Sequence, residues 1–354
     1  MLFSRSLLKS LPTPYSSLDT NRLTVAYFCV SGLDLLGAID QVEREPLIAW
    51  IYSQQLRRPE GAPSDWAGGF RGSFVIASPF AGTDGSPASS AYDVGHLAMT
   101  YTALATLTIL GDDLSRVDRP GTLAHVRSLQ QPNGSFRAVD GGECDMRFVY
   151  CAAAICAFLR DGGGAGEDLG EEGSSAEWEG MDAEKTCEYV LSSQAYDGAL
   201  GLGPGCESHG GSTYTGLAAL ALMGCLPRLP RQAEAVRWCV ERQLGGFQGR
   251  PNKDEDTCYS FWIGGALALL GFPRLTSLEA LGCFARCCQY RKGGIAKVPE
   301  AHPDVLHSYM ACAGLAVAGH ADLLPLDARF NISVRARDAA GLRAPPDECA
   351  PCLD

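Results

Sequence analysis

The sequence has no apolar run of the ~18–20 residues needed to span a bilayer. Its longest, such as Phe261 to Leu270, are half that length and contain paired glycines. Basic charge is also scarce: 29 Lys and Arg stand against 41 Asp and Glu, a net charge of −12 over 354 residues. A nucleic-acid binder needs a basic face to neutralise phosphates, so that class is excluded. At 46% apolar and 20% charged residues, the chain is not disordered. The composition is that of a soluble globular protein, and length alone leaves the domain count open.

A disulfide framework is missing too, although cysteine is not. Cys151, Cys156, Cys225, Cys239 and Cys312 sit inside apolar, helical-looking runs. They read as small core residues in a reducing compartment, which predicts a cytoplasmic protein. Cys349 and Cys352 have no second pair to complete a four-ligand zinc site. Residues 1–18 lack acids and carry Arg5 and Lys9, and are expected to be a loose N-terminal segment.

What is present is a repeat. Gly-aromatic or similar turns follow glutamine-bearing helical segments: Gly69-Phe70, Ser135-Phe136, Gly198-Ala199, Gly246-Phe247 and Gly294-Ile295. The last two intervals are 48 residues each, the signature of stacked helix pairs. Before the turns lie amphipathic helices: Leu47 to Gln55, Leu123 to Gln131, Glu184 to Gln194, Ala233 to Gln243 and Leu278 to Gln289. After them lie more apolar, small-residue helices: Gly95 to Leu110, Met146 to Leu159, Ser212 to Met223, Thr257 to Leu270 and Leu306 to Ala318. Asn21 to Leu36 supplies a sixth of the apolar kind. Helices apolar all round must be buried, and one-striped helices can face water. The expectation is an all-α fold, an α/α toroid of six hairpins, with an open helical solenoid as the alternative. The toroid spans 19–320, interrupted by an 81–91 loop and an acidic, disordered 161–184 insertion, and a C-terminal tail covers 321–354. Nine of the twelve net negative charges lie in 161–184.

Polar groups recur about eleven residues after each turn, where each inner helix begins: Arg147, His209, Cys258 and His307, with His96 in the same role in the first repeat. Groups at one phase of a ring point into one end of its cavity. Asp256, Cys258 and His307 are zinc-type ligands, and three protein ligands leave a position open for chemistry. With Asp256 at a helix N-cap and Cys258 in the first turn they can converge, and the helix N-terminus and the metal are together expected to depress the thiol pKa. Close by in sequence stand His209 before Gly210-Gly211, then Arg250, Lys253 and Tyr259, a group suited to a diphosphate. Trp262, Phe261, Tyr150, Tyr101 and Phe28 supply a wall for an apolar ligand.

The run Gly249-Arg250-Pro251-Asn252-Lys253, then Asp256-Thr257-Cys258-Tyr259-Ser260-Phe261-Trp262, resembles the signature of protein prenyltransferase beta subunits. Glu207-Ser208-His209-Gly210-Gly211-Ser212-Thr213 and Asp304-Val305-Leu306-His307 are similar to the flanking motifs. The resemblance covers about Ser17 to Ala318. It implies an obligate alpha subunit and one zinc per beta subunit, held by Asp256, Cys258 and His307. Details resemble the type I geranylgeranyltransferases more than the farnesyltransferases. Thr24 and Leu306 stand where the latter carry a Trp and a Tyr. Lys297 stands in place of a magnesium-binding Asp, which implies that magnesium is not required.

The resemblance further implies a reaction. The cysteine of a C-terminal Cys-a-a-X protein, such as a small GTPase, takes the open zinc position and attacks geranylgeranyl diphosphate, with X Leu or Phe. His209, Arg250, Lys253, Tyr259 and Lys297 would stabilise the leaving diphosphate, Arg147 would lie near lipid and peptide, and His96 near the peptide's end. Farnesyltransferase and Rab-type beta subunits are the alternatives inside the family. A terpene cyclase would need an Asp-rich acid, which Asp254-Glu255-Asp256-Thr257 does not supply. A non-catalytic toroid for protein binding would not need Asp, Cys and His in phase.

Overall fold

The computed structural model describes residues 2–56, 68–74, 93–161 and 178–342. The 81–91 loop, residues 162–177 of the acidic insertion and the Cys349–Cys352 pair lie outside them. Thirteen α-helices are described: α1 (Leu2–Lys9), α2 (Arg22–Leu35), α3 (Arg44–Ser53), α4 (Leu97–Ile109), α5 (Arg119–Leu129), α6 (Met146–Asp161), α7 (Ala183–Ser192), α8 (Gly210–Leu222), α9 (Gln232–Val240), α10 (Tyr259–Leu269), α11 (Leu278–Cys287), α12 (Val305–Val317) and α13 (Val334–Ala339). Two short antiparallel pairs join them: β1 (Ile295–Ala296) with β2 (Pro303–Asp304), and β3 (Leu326–Asp327) with β4 (Ile332–Ser333).

The even helices form a closed ring. Each of α2, α4, α6, α8 and α10 packs on the next, and α12 packs back on α2, so the open solenoid is excluded. Small residues allow this approach: a side chain at Gly314 of α12 would overlap the Ser260 backbone of α10. Helices α3, α5, α7, α9 and α11 cover α4, α6, α8, α10 and α12 from outside. Because an outer helix separates each inner pair, the inner helices run in one direction and begin at one rim.

The repeated glutamines are staples between repeats. Gln130 receives the Asp182 N–H on Oε1 at 2.8 Å and donates from Nε2 to the Asp182 carbonyl at 3.0 Å. Asp182 is the N-cap of the next outer helix, α7. Gln243 does the same to Ser277, the N-cap of α11, and Gln194 reaches the carbonyl of Arg231 before α9. A glutamine amide both donates and accepts, so it can satisfy a peptide group from both sides. The turn glycines serve the same junction. Gly134 has φ +88°, and a Cβ there would overlap the Lys185 backbone of α7.

Both chain ends depart from the expected boundaries. Residues 1–18 are not a loose segment: α1 lies on α2 in the sixth outer position, and Leu7 is buried with Val25, Cys29 and Val305. Phe3 and Leu7, four residues apart on α1, share one helical face against α2, which outweighs the polar residues between them. Residues 321–342 are not a tail either. Phe330, Ile332 and Ser333 are fully buried, and Leu324 N–H bonds the Leu35 carbonyl at 2.8 Å. This segment plugs the ring. Tyr101 and Tyr214 donate to the carbonyls of Phe330 and Ala328 at 3.0 and 2.9 Å, and Tyr309 donates to Asn331 Oδ1 at 2.7 Å. Tyr27 donates to the Asn331 carbonyl as well. The final residues of the acidic insertion are also ordered: Glu179 pairs with Arg119 at 2.8 Å, and Asp182 caps α7.

Candidate active site

The residues expected at one phase of the repeat all sit at the starts of inner helices. His96 and His209 are the N-caps of α4 and α8, each accepting a backbone N–H on Nδ1, at 3.1 and 3.0 Å. Arg147 is in the first turn of α6, Cys258 immediately precedes α10, and His307 is in the first turn of α12.

Asp256, Cys258 and His307 converge: one ligand atom from each lies within 4.8 Å of the others. Asp256 does not cap α10 directly. Its Oδ1 takes the Cys258 N–H at 2.9 Å, forming a tight turn just ahead of the helix. That turn brings together two residues that a helix would splay apart. Asp304, the N-cap of α12, accepts the His307 N–H on Oδ1 at 2.9 Å and Nδ1 on Oδ2 at 2.6 Å. His307 Nε2 then faces Asp256 Oδ1 at 3.3 Å.

The cluster carries the charge balance of a cation site. Burial alone would lower the His307 pKa, but hydrogen bonds to Asp256 and Asp304 raise it to about 9. Burial and then the Asp256 carboxylate push the Cys258 thiol well above its usual value, with the Trp262 indole and Lys297 opposing weakly. In the protein alone, burial and the Asp256 carboxylate outweigh the helix N-terminus at this thiol. A buried thiol beside a carboxylate keeps its proton unless a positive charge enters. A thiol, an imidazole oriented by a second carboxylate, and a carboxylate within one coordination sphere fit zinc(II) in donor type and number.

The cationic group is partly assembled. Tyr259 OH lies 2.9 Å from His209 Nε2. Because His209 Nδ1 accepts the Gly211 N–H, the neutral ring carries its proton on Nε2 and donates to the phenol oxygen. The Tyr259 O–H is thereby left to donate elsewhere. Gly249 makes the room, since a Cβ there would overlap the Tyr259 ring, and Gly210 packs under it. Arg250 is held by Glu207 at 2.5 Å. Lys297 Nζ lies 3.7 Å from Asp256 Oδ2, with its side chain 59% exposed. Lys253 is exposed and makes no ion pair among the described residues. Arg147 is bound by Asp145 and Glu143, at 2.6 and 2.9 Å, and lies over Phe148, which also touches His96.

On the wall, Thr24 Oγ1 is 3.5 Å from Met99 Sδ, and Leu306 is half-buried in the first turn of α12. Trp262 packs on Tyr214 at 5.3 Å. One turn deeper lies a layer that sequence reasoning saw only in part: Tyr27, Tyr101, Tyr150, Tyr214 and Tyr309, all buried. Four of them stand five residues after the cap residues His96, Asp145, His209 and Asp304, a spacing that would have revealed them. The sequence motifs contain Asp304 and Glu207 without showing what they do; the geometry has Asp304 orient His307 and Glu207 hold Arg250.

Comparison with known proteins agrees with this architecture. The profile of the prenyltransferase alpha-alpha toroid domain matches residues 1–332. The chain is 40% identical over 339 residues to the geranylgeranyl transferase type-1 subunit beta of Arabidopsis thaliana, covering 92% of this chain and 86% of that one. It is 35% identical to the protein of the same description from Dictyostelium discoideum, covering 94% of each. The fold superposes on Candida albicans protein geranylgeranyltransferase-I complexed with GGPP with a TM-score of 0.77 at 23% identity, over 96% of each chain. A closed six-helix ring with an Asp-Cys-His cluster at one rim, matched along nearly its whole length, makes this chain a member of the prenyltransferase α/α-toroid family, among its beta subunits.

Proposed function

We propose that the chain is the catalytic beta subunit of a type I protein geranylgeranyltransferase. With an alpha subunit, it moves the geranylgeranyl group from its diphosphate to the cysteine of cytoplasmic proteins ending in Cys-a-a-Leu or Cys-a-a-Phe. The observation that carries this reading is the convergence of Asp256, Cys258 and His307 within 4.8 Å, beside Lys297 and near the end of the ring that holds His209 and Tyr259. Asp256, Cys258 and His307 would hold zinc, which when bound supplies the Lewis acidity that keeps a substrate thiol deprotonated near neutral pH.

In the transfer a sulfur–carbon bond forms at C1 of the lipid, the C1–oxygen bond breaks, and diphosphate leaves with the electron pair. Tyr259, its phenol oxygen already satisfied by His209, donates its proton toward that anion. Arg250, Lys253 and Lys297 add positive charge, and the Lys297 ammonium takes the part a magnesium ion would otherwise play. Arg147 and His96, linked through Phe148, face the peptide side. Thr24 and Leu306 leave space where bulkier residues would shorten the lipid pocket.

The test is co-expression with an alpha subunit, followed by lipid transfer to peptides ending in Cys-a-a-Leu and Cys-a-a-Ser. Geranylgeranylation of the Leu peptide should dominate. Faster farnesylation of the Ser peptide would overturn the type I assignment, and purified protein without zinc would overturn the mechanism.

A further inference from the structure

Outside the ring, a cavity of about 390 Å³ opens where α1, α2 and the start of α3 meet. Its two outer helices diverge, because α1 packs on α2 whereas α3 packs on α4. Ala26 of α2 lines it with no more than a methyl group. Leu8 of α1 and Leu11 just beyond it wall one side, and Leu47 and Trp50 of α3 wall the other, all four half-buried. Helix α2 stands between this cavity and the tyrosine layer, so it is separate from the Asp256, Cys258 and His307 cluster. Its size falls within the roughly 300–1,000 Å³ of small-ligand pockets.

The apolar walls end at a charged edge lined by Arg5, Lys9, Arg22, Gln41 and Glu43. Arg22 is already paired with Asp19. Arg5 Nη1 donates to Gln41 Oε1 at 3.3 Å, which fixes the guanidinium across the cleft without neutralising it. Lys9, the last residue of α1, is exposed, and its ammonium makes no ion pair or hydrogen bond among the described residues. The end of a helix favours a cation there. Arg5 and Lys9 thus face a single carboxylate, Glu43, and the edge keeps one net positive charge. A wholly apolar ligand would leave that charge unused, and a phosphate ester carries nearly two negative charges. A carboxylate on one alkyl chain matches both the edge and the walls.

We propose that this cavity binds the monoanion of a single-chain fatty acid, with its carboxylate between Arg5 and Lys9 and its alkyl chain against Leu8, Leu47 and Trp50. The guanidinium of Arg5, oriented in advance by Gln41, offers the two parallel N–H donors that a carboxylate accepts, and Lys9 adds a point charge. The inference is independent of the prenyl-transfer reading.

The probe is dodecanoate, titrated calorimetrically into the full-length chain co-expressed with an alpha subunit. It should bind saturably, and decanoate should bind more weakly by about fourfold for each methylene removed. Dodecanol keeps the chain but loses the charge, and should bind about tenfold or more weakly. Lys9→Glu should weaken dodecanoate by a similar factor. Leu47→Trp should also weaken it, by filling the cavity without touching its charged edge. Lys9 is exposed and unpaired, so Lys9→Glu should keep the melting temperature of the unmutated chain and read binding alone. Dodecanoate carrying a diazirine on its chain then locates the site, and after irradiation the label should fall on peptides of α1 and α3. Label confined to the inner helices would place the ligand inside the ring and overturn the proposal. So would the absence of saturable binding, dodecanol binding as tightly as dodecanoate, or an affinity unchanged by Lys9→Glu.

Discussion

Asp304 fixes His307 twice, by Oδ1 on the backbone N–H at 2.9 Å and by Oδ2 on ring Nδ1 at 2.6 Å. One carboxylate thus starts the helix and aims the imidazole, leaving Nε2 as the only ring nitrogen free to face Asp256 and Cys258. Outer groups that orient a ligating histidine typically contribute 10–100-fold in metal affinity. Asp304→Ala should weaken zinc binding by about that factor, read by competition with a chromophoric chelator. Cys258→Ala should lose both zinc and lipid transfer; turnover retained by that variant would remove Cys258 from the chemistry.

Thr24 lies against Met99 at the junction of α2 and α4. On the proposed reading, an indole at this position would fill space that a long isoprenoid needs. Thr24→Trp should lower the kcat/KM ratio of geranylgeranyl over farnesyl diphosphate by roughly tenfold or more, the scale on which apolar pockets discriminate length. An unchanged ratio would mean that the pocket ends elsewhere.

Ring closure depends on the contact between α10 and α12. A methyl group at Gly314 would overlap the Ser260 backbone, and neither helix can retreat without loosening its other neighbour. Gly314→Ala should destabilise the protein by about 1–3 kcal/mol, the usual cost of overpacking. Denaturant titration measures it. A substitution of similar size at an exposed outer-helix site, such as Glu234→Gln, should cost little.

His125 on α5 is buried against Gly69 and Gly95, and burial, aided by His96, lowers its pKa from 6.5 to about 4. The unfolded chain therefore binds a proton between pH 6.5 and 4 that the folded chain refuses. Stability from this group is complete above pH 6.5 and is lost as pH falls toward 4, up to about 3 kcal/mol in all. His125→Gln should flatten that part of the stability–pH curve. A curve that keeps its slope would assign the acid sensitivity to other groups.

The alternation of helices was legible because burial on all sides and burial on one side leave different local patterns, as in Thr257 to Leu270 against Leu278 to Gln289. The metal triad was legible because the repeat places Cys258 and His307 in phase. The ends were misread for a physical reason. Phe330 and Ile332 are buried by partners about 300 residues away in sequence, and no local periodicity records such contacts. Polar neighbours then made the segment look like a tail. The glutamines were visible as markers of the repeat, but only the geometry shows Gln130 and Gln243 bonding both faces of the next helix's N-cap. At Cys258 a sequence shows a helix start but not the depth of burial or the side from which Asp256 approaches, and these set the thiol in the protein alone.

The plug imposes an order in time. Tyr27 belongs to the first inner helix made on the ribosome, yet the carbonyl that it bonds, at Asn331, follows the last. Until that strand emerges, the phenols of Tyr27, Tyr101, Tyr214 and Tyr309 lack their acceptors and α2 lacks α12. Loop closure over such a distance is slow compared with hairpin formation. The ring therefore cannot close before α12 and residues 326–333 have been made, because they supply the partners of α2 and of the inward-facing phenols.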